Sequence, residues 1–306
     1  MATRTRAFGA GNRESHDASD FYARFRAPEL SDDETVNPCA IADSIVHGDA
    51  RDMTAVDDCS VALVVTSPPY YAGKEYEQAL GEGHVPGSYV DFLTMLRDVF
   101  AECRRVLEPG GRIAVNVANL GRKPYRSLSA DVMRIIQDDL ALLPRGEIIW
   151  QKARGATGSI AVGSYLSAAN PVLRDVSERI IVASKGRFDR AVPRKERERR
   201  GLPYENTIEK DEFFESTLDV WEMRPEHARR VGHPAPFPVE LPERLMRLYT
   251  YRGDVVLDPF MGSGTTAVAA VRNDRRYVGY ETDAAYVELA RERITAERAG
   301  DSAGGP

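Results

Sequence analysis

Cysteine is scarce in this 306-residue chain: Cys39, Cys59 and Cys103 are the full set. An odd, scattered trio excludes a disulfide framework and offers no Cys-x-x-Cys metal spacing. Only Cys39 follows a proline, and it does so in a polar segment without strand character, so no nucleophilic thiol is indicated and the three read as buried or incidental. Histidine is nearly as sparse, with five residues; His47 and His233 each stand alone, and no His/Cys cluster has ligand spacing, so no metal is expected. No apolar run approaches the ~20 residues of a membrane span. The opening MATRTRAFGAGNRESHD has no apolar signal core, which sets the expectation of a cytoplasmic protein without membrane contact. Internal repeats are also absent.

What is present is a series of short β-branched runs separated by helical stretches. Hydrophobic residues make up 42% of the chain, enough for one substantial core with a smaller inserted lobe. Strands are expected at Ser44–His47, Val61–Thr66, Arg112–Val117, Val255–Leu257 and Tyr277–Tyr280, with a hairpin pair at Glu147–Trp150 and Arg179–Ala183. Helices are expected at Tyr89–Leu107, stopped by Glu108-Pro109-Gly110-Gly111, at Thr265–Arg272 and at Ala284–Arg298. This alternation argues for an α/β fold with a mainly parallel sheet.

Two turns carry the chemistry. The run Val61–Val65 meets Thr66-Ser67-Pro68-Pro69-Tyr70, where two prolines must end the strand. Open α/β sheets place their ligands at such carboxyl ends. The turn offers carbonyl acceptors, a hydroxyl and an aromatic face, a surface suited to a flat base bearing an amino group. The second turn is Asp258-Pro259-Phe260-Met261-Gly262-Ser263-Gly264-Thr265-Thr266, between a strand and a helix. Its glycines permit close backbone approach, and Glu281 follows Gly262 by nineteen positions, the spacing of an acid that holds ribose hydroxyls. A Gly-x-Gly-x-x-Ala turn with a downstream acid is also the dinucleotide fingerprint, so a nicotinamide enzyme must be weighed. No Gly-Lys-Ser/Thr follows, which argues against a phosphate loop.

Taken together, the turns resemble the DNA amino-methyltransferases, which use S-adenosylmethionine to methylate an exocyclic base amine. Ser67–Tyr70 matches the family's Asp/Ser/Asn-Pro-Pro-Tyr/Phe motif, and Asp258–Thr265 its Asp-Pro-Phe-x-Gly-Ser-Gly-Thr motif. Gly232–Pro238 is similar to the segment preceding the cofactor strand, and Gly163–Leu166 with Asn170–Arg174 and Glu178–Ile181 gives a fourth match. The resemblance spans residues 43–292. Motif order, with the catalytic turn first, is that of the circularly permuted β group. It implies a Rossmann-like methyltransferase fold, seven-stranded, with an antiparallel edge hairpin. The divisions expected are 1–40, an arm or helical lid; 41–184, the catalytic half; 185–230, a small inserted target-recognition region; 231–298, the cofactor half; and 299–306, a disordered tail.

The resemblance makes Ser67, Pro68, Pro69 and Tyr70 the catalytic set: Ser67 and the Pro68 carbonyl accept from the amine, and the Tyr70 ring, rather than its hydroxyl, stacks on the base. Cofactor contacts are expected from Asp49, Thr66, His233, Pro234, Phe237, Asp258, Pro259, Phe260, Gly262, Ser263, Gly264, Thr265, Thr266 and Glu281. Serine before Pro-Pro favours N4 of cytosine, with N6 of adenine as the alternative. A nicotinamide oxidoreductase would leave Thr66–Tyr70 unexplained, and a catalytically dead DNA-binding scaffold would not need Ser67, Tyr70, Gly262 and Glu281 together. The substrate would be double-stranded DNA with the target base flipped out; the glycine-bearing stretch 71–83 is either a mobile loop that closes over it or an ordinary surface loop. A homodimer and a cognate restriction endonuclease are left open as partners.

Net charge is −6, unusual for a DNA binder, but it is unevenly spread. Lys185, Arg187, Arg190, Arg194, Lys195, Arg197, Arg199 and Arg200 face only Asp189, Glu196 and Glu198 within one segment. That excess is read as a phosphate-binding surface, against the alternative of a solvated helix face.

Overall fold

The computed structural model describes residues 30–71, 88–119, 125–152, 163–225 and 237–303. Eight strands form one sheet: β1 (Ser44–His47), β2 (Val61–Thr66), β3 (Leu107–Val117), β4 (Leu143–Lys152), β5 (Ser177–Ser184), β6 (Val220–Met223), β7 (Val255–Asp258) and β8 (Arg276–Glu281). Their spatial order is β1-β8-β7-β2-β3-β5-β4-β6. The first five in that order are parallel, β5 runs against both its neighbours, and β6 lies parallel to β4. Strand β2 lies beside β7 although the two are far apart in the chain, so the two motif-bearing turns leave the same edge of the sheet side by side.

Every residue of β2 is buried because both sheet faces are covered. Val61 and Val64 face one core, Leu63 and Val65 the other, as the two-residue period of a strand requires once the irregularity after Val61 is passed. The first core is closed by α1 (Tyr89–Val106) and α2 (Leu128–Arg134), the latter continuing into a π-helical turn at Ile135–Asp139. Ser88 caps α1 by accepting from the Asp91 N–H at 3.1 Å, and Phe92, Leu96, Val99, Phe100 and Cys103 form its buried stripe. After β5 come two short helices, α3 (Arg194–Arg199) and α4 (Lys210–Ser216). The second core lies under α5 (Glu240–Tyr249), α6 (Thr265–Arg272) and α7 (Ala284–Ala303). All three cysteines are free and buried.

Two features of the sheet differ from expectation. The sheet has eight strands rather than seven, and the β4–β5 hairpin is not its edge. Strand β6 covers it, with Trp150 paired to Trp221. A four-residue strand with two inward side chains is too short to stand out from its flanks. Glu108–Gly111 does not leave the sheet after α1; it forms an irregularity inside β3, where β2 shifts register between Val61 and Leu63. Gly110 makes that possible at φ 78°, since a Cβ there would meet the Asp189 carbonyl. Residues 30–39, within the expected arm, are not helical; the Ser31 and Asn37 N–H groups donate to the Gly186 and Cys59 carbonyls at 2.7 and 3.0 Å. Residues 1–29, the rest of that arm, lie outside the described residues.

The amino-terminal edge of the sheet is locked by buried charge. Arg197, 1% exposed, donates to Glu108 at 3.1 Å and Asp254 at 3.0 Å; Arg190 pairs with the same two carboxylates. The Tyr251 ring lies 5.3 and 5.2 Å from the guanidinium carbons of Arg190 and Arg197. Such a cluster is weak evidence of net stabilisation, but removing one partner leaves a buried charge uncompensated. Arg197→Ala should therefore cost ~3–5 kcal/mol in denaturant unfolding, whereas Arg199→Ala, two residues on and exposed, should leave the midpoint unchanged. Equal effects of the two would mean the cluster does not hold β3 to β7.

Candidate active site

At the carboxyl edge, one buried carboxylate joins the two turns. Asp258, last residue of β7 and 1% exposed, accepts the Thr66 hydroxyl at 2.8 Å, the Thr266 hydroxyl at 2.6 Å and the Phe260 N–H at 3.1 Å. Burial outweighs these donors and pushes its carboxyl up to about 6. Glu281, last residue of β8, accepts the Gly262 and Asp283 N–H groups at 2.8 and 2.9 Å, and so fixes the glycine turn from the far side. Gly264 starts α6 at φ 82°, where a Cβ would sit 2.8 Å from that of Ala290.

These turns wall a cleft of about 1160 Å³, open mouth included. Ser67, Pro68, Pro69 and Tyr70 line one side. Asp258, Pro259, Phe260, Gly262, Ser263 and Thr265 line another, with Glu281, Asp49 and Phe237 completing the expected set. Thr66, Gly264 and Thr266 lie behind the wall as supports rather than in it. His233 and Pro234 lie outside the described residues, as does 72–87, which takes in most of the stretch 71–83. Sequence reading missed the apolar floor: Met95 and Val99 arrive from α1, and Tyr286 from α7. Their helical spacing marks them as core and says nothing of a ligand. The cleft fits S-adenosylmethionine by its donor set, with a carboxylate beside a glycine turn for hydroxyls and an apolar wall for a flat ring.

The Ser67–Tyr70 turn is tied to β3 and β5 through a buried polar group whose connections sequence reading missed, although Glu178 stood in a matched motif. Tyr70, 6% exposed, donates its hydroxyl to Glu178 at 2.8 Å; Ser67 Oγ lies 2.7 Å from the same hydroxyl. Asn116 donates to Glu178 at 2.6 Å and to the Tyr70 oxygen at 3.1 Å. Lys152 completes the cluster at 2.6 Å from the other Glu178 oxygen. The expectation that only the ring of Tyr70 matters is thus incomplete, because its hydroxyl is a structural joint. A charged residue near the start of an otherwise apolar strand was the available signal for Glu178.

The basic run lies at the amino-terminal edge of the sheet. Strand β5 descends from the catalytic edge, so Lys185 begins the run at the amino-terminal edge, the length of the sheet away from Ser67. Lys185 donates to the Arg105 and Leu107 carbonyls at 2.9 and 2.6 Å, and Arg190 and Arg197 belong to the buried cluster. Arg187 approaches the Asp33 carbonyl at 3.5 Å, and Arg194 donates to that of Tyr204 at 3.1 Å. Arg199 and Arg200 pair with Glu196, leaving Lys195 exposed among them. Of the eight basic residues, Arg190 and Arg197 are paired with carboxylates from outside the run, and Arg199 and Arg200 share Glu196 within it.

Asp258 yields a test with a defined sign. Its native pKa lies above the ordinary 3.8, so the penalty for burying its charge is absent below that pH and complete above about 6. Asp258→Asn keeps one acceptor and carries no charge. Its stability relative to the unsubstituted protein should rise across that interval, by at most ~3 kcal/mol, and stay level at higher pH. Parallel denaturation curves at several pH values would reveal a flat difference if Asp258 does not titrate there.

Among the described residues no group could hold a metal ion, and no helix is long and apolar enough to cross a membrane. A DNA methylase family model, for N6/N4 enzymes, matches residues 61–292. The type II methyltransferase M.MjaI of Methanocaldococcus jannaschii is 30% identical over 280 residues, covering 82% of this chain and 90% of its own. A DNA adenine methyltransferase, YhdJ of Escherichia coli K12, is 26% identical and covers 83% of each. Among solved structures, TTHA0409 of Thermus thermophilus, described as a DNA modification methylase and complexed with S-adenosyl-L-methionine, superposes with a TM-score of 0.63 at 32% identity, over 84% of this chain and 96% of that one. With most of the sequence and nearly all of the cleft inside the matched region, the chain belongs to the DNA methylase family and is an S-adenosylmethionine-dependent DNA methyltransferase.

Proposed function

We propose that this methyltransferase acts on the N4 amine of cytosine within a specific DNA sequence. The observation that carries this reading is that Ser67, a hydroxyl acceptor rather than a carboxylate, stands in the same cleft as Glu281 and the glycine turn. Glu281 and the Gly262 turn would hold the ribose and Met95, Val99 and Phe260 the adenine, with Asp49 beside them. When bound, S-adenosylmethionine supplies an electrophilic methyl group on a positively charged sulfur.

The chain's own task is to make a poor nucleophile competent. An exocyclic amine delocalises its lone pair into the ring. Ser67 Oγ and the Pro68 carbonyl accept its two N–H bonds, pull the nitrogen towards tetrahedral geometry and localise that pair. Tyr70 presents a ring against which the base stacks. Positioning and electrostatics then supply most of the rate, and the proton leaves to solvent after transfer. Because the cleft is recessed, the base must leave the duplex, at a cost of a few kcal/mol in stacking.

Adenine N6 is the competing product, since one relative bears the name of an adenine enzyme. Digesting DNA treated with the protein and labelled cofactor to nucleosides, then weighing the labelled base, decides between them: N4-methylcytosine is expected, and N6-methyladenine would overturn the cytosine assignment.

Duplex contact is assigned to the carboxyl edge, where Arg174 and Arg224 are exposed and Arg179 lies near the start of β5 beside Val117. Arg174→Gln with Arg224→Gln should flatten the dependence of DNA affinity on salt by up to ~2 logarithmic units, at roughly 0.9 per phosphate contact. Replacing Arg194, Lys195, Arg199 and Arg200 together should leave that slope nearly unchanged. The opposite pattern would return the DNA to the basic run.

A further inference from the structure

The hydroxyl protons at the catalytic turn can be assigned from Glu178 outward. A carboxylate facing Lys152 Nζ at 2.6 Å only accepts. The single proton of the Tyr70 hydroxyl, 2.8 Å from Glu178, must therefore point to it. That turns the Tyr70 oxygen into an acceptor, and Asn116 fills one of its lone pairs at 3.1 Å. Ser67 Oγ, at 2.7 Å, fills the other, and it can do so only by donating its one proton. Ser67 keeps its lone pairs for other partners, on a residue that lines the cleft, and the Asn116 amide approaches its oxygen only to 3.5 Å. The same carboxylate fixes the Asn116 amide, because turning it over would set an oxygen 2.6 Å from Glu178. The Asn116 Oδ1 is left buried without a partner, so the direction of the group is dictated by Glu178 rather than by complete satisfaction of its members.

We propose that Glu178 is a positioning residue for methyl transfer: through Tyr70 it compels Ser67 to present an acceptor, and only an acceptor, to the substrate. Resting on the amino-methyltransferase reading, this assigns a specificity role to a residue outside the cleft. An exocyclic amine offers N–H donors to Ser67 and is accepted. A keto oxygen at the same position would face an oxygen with no proton to give, and is rejected. A serine free to rotate its hydroxyl could serve either group, so Ser67 alone does not select; its orientation by Glu178 does. The chain Ser67 to Tyr70 to Glu178 transfers no proton. It sets a direction.

A double-mutant cycle tests this. The unsubstituted protein, Glu178→Gln, Tyr70→Phe and the double variant are compared in single-turnover transfer of tritiated methyl from S-adenosylmethionine to unmethylated genomic DNA, beside calorimetric cofactor affinity and thermal midpoint. Glu178→Gln must set an amide N–H towards either Lys152 or the Tyr70–Asn116 side, and should slow transfer about tenfold or more with cofactor affinity within about twofold. Tyr70→Phe keeps the stacking ring, removes the link, and should slow transfer to a similar degree. In the double variant the loss should not exceed that of the slower single variant, because Glu178 acts only through Tyr70. Losses that multiply, or that follow cofactor affinity and melting temperature, would reduce Glu178 to a structural anchor. If Glu178→Gln does not fold, Tyr70→Phe and Glu178→Asp decide alone: full activity in the first, or loss in the second as severe as in the first, overturns the inference. No transfer to DNA by the unsubstituted protein would sink the broader reading instead, so the two failures are told apart.

Discussion

The carboxyl edge of the sheet depends on the carboxylate of Asp258. It touches strand β2, the glycine turn and the helix after it, through Thr66, Phe260 and Thr266. Thr66 stands far from the other two in the sequence, and its bond to Asp258 ties together the two motifs that the pairing of β2 with β7 sets side by side. Holding a carboxylate there is unfavourable, as its raised pKa near 6 shows. Three well-placed donors offset only part of the penalty, and the position is useful for the same reason that it is costly. A buried acceptor with its partners on different elements tolerates no slippage between them.

The opposite edge solves a related problem with charge. Glu108 and Asp254 introduce β3 and β7, flanking the central strand, and both are bound by the same two arginines. Arg190 and Arg197 come from the segment after β5, so that segment is fastened under the sheet before the chain climbs back to β6. The irregularity at Gly110 lets Glu108 turn inward without breaking β3. A cluster of two carboxylates and two guanidinium groups is thereby placed at the amino-terminal edge, while the cleft at the other edge is lined by hydroxyls, carbonyls and rings beside three carboxylates, Asp49, Asp258 and Glu281, that the protein already engages.

How much of this could be read from residues alone differs by the range of the interaction. The two turns were legible because their chemistry is local: Pro68-Pro69 ends a strand wherever it sits, and Gly262-Ser263-Gly264 bends one. Asp258 was legible as a site residue but not as a bridge, because its partner Thr66 is 192 positions away. Strand β6 and the inclusion of Glu108–Gly111 in β3 follow from tertiary pairing that no local propensity encodes. The basic run shows the same limit from the other side. Arg190 and Arg197 count as free charges only while their acidic partners, 82 and 57 positions away, are out of view. Glu178 was legible as part of a motif but not as a partner of Tyr70, because the two are 108 positions apart and the ring of Tyr70 already had a role.

That last case bears on why a serine can stand where other members of the family have a carboxylate or an amide. An acidic side chain at position 67 would accept by its nature. A serine hydroxyl is ambivalent, and it behaves as an obligate acceptor only if something else takes its proton. Here the proton is taken by Tyr70, whose own proton is taken by Glu178, so the missing carboxylate is present at one remove, buried and paired with Lys152. The arrangement moves the negative charge two hydrogen bonds back from the reacting amine. A full charge at position 67 would attract the cationic sulfur of the methyl donor strongly as well as the amine, whereas a neutral oxygen with oriented lone pairs attracts that cation less. On this argument Ser67 and Glu178 form one functional unit, and a variant that moves the carboxylate forward to position 67 should make Glu178 dispensable for selecting the amine.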